Sequence, residues 1–169
     1  MARTCTLKGN PLTLEGPELK VGDKAPDVTL KKSLVDSIKI SDTNGKTRIL
    51  SVVPSLDTPV CAEQTRRFNQ EAAKLTSVGF YTISFDLPTA QARFCSAEGV
   101  DAERFPALSD HVDGAFGRAY GTLVTELRVE CRAVFVLDKD GTICYAEYVP
   151  EIAEHPNYDA VLACAKELG

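Results

Sequence analysis

The sequence has no stretch approaching the ~18 uncharged apolar residues that a membrane span requires, and Met1 to Lys20 has no apolar core of signal-peptide length. Both absences predict a soluble, cytoplasmic protein with no membrane partner. Basic residues come at most in pairs, Lys31-Lys32 and Arg66-Arg67, and 19 lysines and arginines face 24 aspartates and glutamates, for a net charge of −5. No basic surface able to track a phosphate backbone follows from that, so nucleic acid is not an expected partner. There is no Cys-x-x-Cys pair, and no cysteine clusters with His111 or His155 at zinc-like spacing. Asp138-Lys-Asp-Gly141 lacks the later ligands and distal glutamate of a calcium loop and reads as a hairpin turn. No metal is expected, and there is neither an internal repeat nor a linker.

What is present is a chain of 169 residues, 44% hydrophobic. It falls in the size range of a single domain, 1–169, that buries its core without disulfide staples. Its six cysteines therefore read as redox groups or buried thiols.

Cys5 to Leu14 holds two short alternating runs around a Gly9-Asn-Pro11 break, a β-hairpin covering one end of the domain. Strands follow at Val28 to Leu30, Ser37 to Ile40 and Ile49 to Val53, the last an apolar run expected at the centre of a sheet. From Thr58 the period changes: Cys61, Thr65, Phe68, Ala72 and Leu75 lie on one face of an amphipathic helix. A strand at Phe80 to Phe85 precedes a helix from about Thr89 whose Ala90, Phe94 and Ala97 share a face and which stops at Gly99. After loops around a short strand and helix in 100–125, Arg132 to Leu137 and Thr142 to Tyr148 form a hairpin, and Tyr158 to Leu168 a closing helix. The alternation predicts an α/β fold, a central mixed sheet flanked by helices.

In Val53-Pro-Ser-Leu-Asp-Thr-Pro-Val-Cys61 a buried strand gives way to a helix within eight residues. Thr58 suits the N-cap and Pro59 the first helical position, where its missing N–H costs nothing, which puts Cys61 near the third. Unpaired N–H groups and the helix dipole favour a thiolate there. Two readings of Cys61 stand on the residues alone: an activated nucleophile, or a small buried hydrophobe packed beside Thr65 and Phe68.

Pro54-x-x-x-Thr58-x-x-Cys61 resembles the active-site signature of the peroxiredoxins. Ser51 to Asn69 and Asp86-Leu-Pro-Thr-Ala-Gln-Ala-Arg-Phe-Cys95 are similar in particular to the bacterial thiol peroxidases, an atypical two-cysteine branch, and the likeness runs from the first hairpin to the last helix. The resemblance implies a thioredoxin-like fold and an antioxidant peroxidase in which Cys61 is the peroxidatic and Cys95 the resolving cysteine. It further implies that Pro54 shields the site, that the Thr58 hydroxyl hydrogen-bonds the sulfur and the peroxide, and that Arg132 lies near the thiolate. Thioredoxin as reductant, a preference for organic and lipid hydroperoxides over hydrogen peroxide, and a homodimer with its interface near the active-site helix come with it.

The chemistry needs no cofactor. A thiolate that takes one oxygen from a hydroperoxide becomes a sulfenic acid, which condenses with a second thiol. Cys95, 34 residues further on, bridges to Cys61 only if the two Cα atoms come within ~7 Å, so partial unwinding of one or both helices is expected. Cys5, Cys144 and Cys164 read as inert thiols, and Cys131 as one near the site because it neighbours Arg132. His111 and His155 read as surface residues. Two other functions fit the same fold. A thiol–disulfide oxidoreductase would want the missing Cys-x-x-Cys pair, whereas a non-enzymatic redox sensor would not need Pro54, Thr58, Cys61, Cys95 and Arg132 together.

Overall fold

The computed structural model describes residues 2–169. In chain order the elements are β1 (Arg3–Leu7), β2 (Asn10–Glu15), β3 (Thr29–Lys31), β4 (Ser37–Lys39), a 3-10 turn (Ile40–Thr43), β5 (Thr47–Val52), α1 (Pro59–Ala72) and β6 (Val78–Ser84). There follow α2 (Pro88–Glu98), β7 (Ala107–Ser109), α3 (Ala115–Tyr120), β8 (Leu123–Val124), β9 (Val129–Glu130), β10 (Ala133–Leu137), β11 (Ile143–Tyr148) and α4 (Tyr158–Leu168). Seven strands make a mixed sheet in the order β11-β10-β5-β6-β7-β3-β4, and the other four a small sheet, β1-β2-β8-β9. Strands β5, β6 and β7 are parallel, so α1 and α2 are the crossover connections such pairing requires.

Every residue of β5 is buried, because both of its faces are covered. Ile49 packs with Phe68 and Ala72 of α1 and Val161, Leu162 and Ala165 of α4. Leu50 and Val52 point the other way, into a cluster with Phe116 and Tyr120 of α3 and Leu14 of the small sheet. The antiparallel neighbour β10 alternates in the same register, Val134 and Val136 to the helices, Ala133, Phe135 and Leu137 to the opposite cluster. A strand buried on both faces therefore reads as an unbroken apolar run rather than as an alternation.

Four local expectations are corrected. The first hairpin turns at Lys8-Gly9, both left-handed (φ 51° and 79°), and Asn10-Pro11 already belong to β2. Helix α1 ends at Ala72, short of Leu75. The Val28–Leu30 and Ser37–Ile40 strands shift by about a residue to β3 and β4. Helix α2 buries Pro88, Gln91 and Cys95, so the apolar face inferred from Ala90, Phe94 and Ala97 is not its core face. Gln91 donates to the Leu108 carbonyl (2.9 Å) and Ser84 Oγ (3.1 Å), and these bonds let a polar residue seat the helix on β7.

A pair of acids lies inside the fold. Asp110 accepts from the N–H groups of Phe116 (3.0 Å) and Gly117 (2.9 Å), closing the open N-terminus of α3. The fully buried Glu130 accepts from Thr122 Oγ1 at its Oε2 (2.5 Å), and its Oε1 has no hydrogen-bond partner. Burial first, then the neighbouring Asp110 carboxylate, push the Glu130 carboxyl well above its ordinary range, and burial raises Asp110 as well. Gly117 must be glycine here, because a Cβ would lie 2.9 Å from Leu123 Cβ and 3.0 Å from Glu130 Oε2.

A carboxyl with a raised folded pKa favours the fold at acid pH. That advantage is lost as pH rises past the unfolded carboxyl range and through the folded value. Glu130→Gln is therefore expected to match the parent near pH 5 and to exceed it in stability at pH 8.5. Urea unfolding at the two pH values measures this, and a parent as stable as the variant at pH 8.5 would contradict the raised Glu130 carboxyl.

Candidate active site

The site begins where β5 runs out. Val53 still donates to the Ile83 carbonyl (3.0 Å) of β6. The next residue, the buried Pro54, has no N–H to continue the ladder. The chain then turns through Ser55 to Asp57, held by the Asp86 carboxylate, which accepts from Ser55 Oγ (2.8 Å) and the Leu56 N–H (2.8 Å). Helix α1 follows at once, with Pro59 first and Cys61 third. The cysteine stands where the first-turn N–H groups lack intrahelical acceptors and the dipole is positive. It is a free thiol with no exposed surface, clustered with Val53 and Leu56, and Phe94 of α2 packs against the group.

Arg132 approaches from the head of β10. Its Nη2 donates to Cys61 Sγ at 3.2 Å, Nη1 to Gln64 Oε1 at 2.8 Å, and Nε to the Ile152 carbonyl at 2.9 Å. The side chain is 1% exposed. A guanidinium keeps its proton under all ordinary conditions, so its burial demands such acceptors, and its charge acts on the sulfur undiluted by water. Gln64 is also fully buried, and its Nε2 donates to Ser51 Oγ at 2.8 Å. A polar chain thus runs from Ser51 of β5 through Gln64 to Arg132 and the sulfur. The arrangement can stabilise a thiolate and supply N–H donors to negative charge developing on a bound oxygen.

The other site residues inferred from the sequence fall differently. Thr58 has the extended backbone of an N-cap (φ −115°, ψ 150°), but its side chain caps nothing. Its Oγ1 donates to the Ser55 carbonyl at 3.1 Å, and the residue is exposed. The tight 55–58 turn takes up the hydroxyl proton, so no bond to Cys61 forms in this conformation. Cys95 is buried under α2, outside the Cys61 cluster, in a pocket also lined by Pro106 and Ala107. Burial raises its thiol pKa. The expectation for Cys131 is corrected: its side chain packs with Cys5 in the cluster opposite α1, since neighbours on an extended chain point to opposite sides. Burial pushes its thiol up as well. Cys144 and Cys164 are half-buried, with Cys164 Sγ 3.8 Å from the Cys144 carbonyl oxygen. His155 is exposed and meets Tyr158 OH at 2.8 Å.

Sequence reasoning passed over Gln64, Ser51 and Asp86. Gln64 lies three residues after Cys61, on the same helical face, and a lone polar residue on a core-facing stripe was the available signal. Ser51 interrupts an apolar strand in the same way. Asp86 also accepts from Ser84 Oγ two residues before it (2.7 Å), but its partners in the turn, Ser55 and Leu56, are some 30 residues away, and nothing local marks that pairing.

Gln64→Met keeps the volume and removes both polar contacts, leaving Arg132 Nη1 and Ser51 Oγ unpaired. Stability is expected to fall by ~1–3 kcal/mol, read by urea unfolding, and a variant as stable as the parent would contradict the polar chain.

Residues 20–162 match the Redoxin family model. A thiol peroxidase of Bacillus subtilis is 53% identical over 163 residues, 96% of each chain, and one of Listeria monocytogenes is 49% identical over 96% of this chain and 97% of its own. Among solved structures, a peroxiredoxin-like protein from Aquifex aeolicus superposes with a TM-score of 0.91 at 41% identity, covering 100% of this chain and 99% of that one. A thiol peroxidase from Chromobacterium violaceum, only 18% identical, shares the fold at a TM-score of 0.89 over 99% and 98% of the two chains. The fold is thus the thioredoxin-like one of the peroxiredoxins, and a chain half identical to thiol peroxidases over nearly its whole length belongs to the Redoxin family and, within it, to the thiol peroxidases.

Proposed function

We propose that this thiol-dependent peroxidase works through Cys61 as the peroxidatic thiolate and Cys95 as the resolving thiol, within one domain spanning 1–169. The observation that carries the reading is the 3.2 Å contact from Arg132 Nη2 to Cys61 Sγ in the first turn of α1. The sulfur attacks the terminal oxygen of a hydroperoxide, the S–O bond forms as the O–O bond breaks, and the departing alkoxide or hydroxide takes up a proton. Arg132 balances the charge on sulfur before attack and on oxygen during it. Cys61 is left as a sulfenic acid, and attack by the Cys95 thiol forms the disulfide and releases water.

The two cysteines occupy different clusters, so resolution calls for unwinding within α2, α1 or both. A dithiol reductant of the thioredoxin type then returns both cysteines to thiols by disulfide exchange. Pro54 shields the sulfur. Thr58 joins the hydrogen bonding to peroxide once the 55–58 turn relaxes, because its hydroxyl otherwise serves Ser55. Organic and lipid hydroperoxides are the favoured substrates, and the protein acts in the cytoplasm as a homodimer whose interface adjoins α1. No metal or organic cofactor has a part in this scheme. A simple disulfide exchanger fits less well, because no second thiol joins Cys61 in its cluster.

Turnover of cumene hydroperoxide with thioredoxin, its reductase and a nicotinamide readout is expected to vanish in Cys61→Ser. Cys95→Ser is expected to consume one equivalent of peroxide and stop. Sustained turnover in Cys61→Ser would overturn the assignment, and sustained turnover in Cys95→Ser would transfer resolution to another thiol.

A further inference from the structure

Cys61 has no exposed surface, so no oxidant reaches its sulfur unless something covering it moves. Val53 is held by its backbone bond to Ile83, the buried Pro54 by its ring-fixed backbone between Val53 and the turn that Asp86 ties down, Arg132 by three hydrogen bonds, and the backbone at Leu56 by Asp86. Phe94 is different. It is half-buried, its ring has no polar tether, and it stands on α2, whose link to α1 at the far end is the exposed Arg66–Glu98 pair (3.1 Å), a contact of small energetic weight. Outside it lies a cleft of about 490 Å³. Phe94 and Leu56 line it, and so do Ala90 and Ala97, which lie on either side of Phe94 along the helix. Small residues at those positions leave room for the ring to change rotamer into the cleft.

Taking Cys61 as the peroxidatic thiol, we propose that Phe94 is a lid: its ring must leave Leu56 before a hydroperoxide can reach the sulfur, and its departure loosens the helix that carries Cys95. Phe94 is a positioning residue in this role, since it touches neither of the reacting oxygens. The residue next to it, Cys95, faces the opposite pocket beneath α2, as a rotation of about 100° per residue dictates. Displacing the ring removes an apolar contact between α2 and the active-site turn, so substrate arrival and freedom of the resolving helix rise together. The cleft is mixed in character, with Leu56, Ala90, Phe94 and Ala97 beside Ser55, Asp57, Asp86, Arg93 and Glu98, and its apolar part can hold the ring and the substituent of an organic hydroperoxide in turn.

The test uses no peroxide. Reduced parent, Phe94→Ala and Phe94→Leu are treated with iodoacetamide, and the rate at each cysteine is read by peptide mass spectrometry. Losing a lid contact is expected to speed labelling of Cys61 about tenfold in Phe94→Ala and less in Phe94→Leu, with Cys131 as unlabelled as in the parent. Amide exchange across residues 91–98 is expected to quicken in the same order. An unchanged Cys61 rate, or a parallel rise at Cys131 that betrays general loosening, overturns the lid. Unchanged exchange in α2 overturns its link to Cys95. Failure of the Cys61 assignment shows separately, as peroxidase turnover surviving in Cys61→Ser.

Discussion

A guanidinium buried against a sulfur atom organises this molecule. Arg132 has given up water, and a charge in that position is tolerable only where fixed acceptors replace the solvent. The acceptors come from three separate parts of the chain: Gln64 and Cys61 on α1, the Ile152 carbonyl beyond β11, and, through Gln64, the Ser51 hydroxyl on β5. Each must be in register for the others to be satisfied. The geometry of the Cys61 sulfur is therefore enforced by the cost of leaving any one of these groups unpaired, which for a charged partner exceeds the usual worth of a single hydrogen bond.

The layers serve the same end. The β5–α1 junction lies at the carboxyl end of a parallel strand, where crossover topology leaves the next helix N-terminus open, and ligand sites in open α/β sheets lie at such ends. The apolar faces of β5 and β10 then fix the helix in both senses. Phe68, at 5.2 Å from the Tyr158 ring and 6.3 Å from that of Phe80, locks α1 between the sheet and α4. Because the ring sits two turns from Cys61 along the same face, packing deep in the core sets where the sulfur stands.

Much of this was legible in the sequence, and the exceptions have a common cause. Periodicity located the central strand, the active-site helix, the last hairpin and the closing helix, because each buries a regular apolar pattern. The Pro54, Thr58, Cys61 spacing marked the junction. Periodicity misled at α2, where Gln91 takes a core position through hydrogen bonds while Ala90 and Ala97 face solvent. The Thr58 hydroxyl, the side on which Cys131 lies and the Asp110–Glu130 pair escaped for a related reason. Each is decided by a partner that only the tertiary arrangement brings close. A buried carboxyl looks like any other acid in a sequence until its neighbour is known.

The rims of the large sheet bear on crowding. One rim is β4, three residues long and ended at once by a 3-10 turn. The other, β11, is bonded near its start to the 22–25 segment through the Gly22 N–H to the Ile143 carbonyl (2.9 Å) and the Ile143 N–H to the Asp23 carbonyl (2.9 Å). The first rim is too short to template a foreign strand and the second is covered where it begins, so neither border gives a neighbouring copy its full length on which to nucleate an intermolecular sheet.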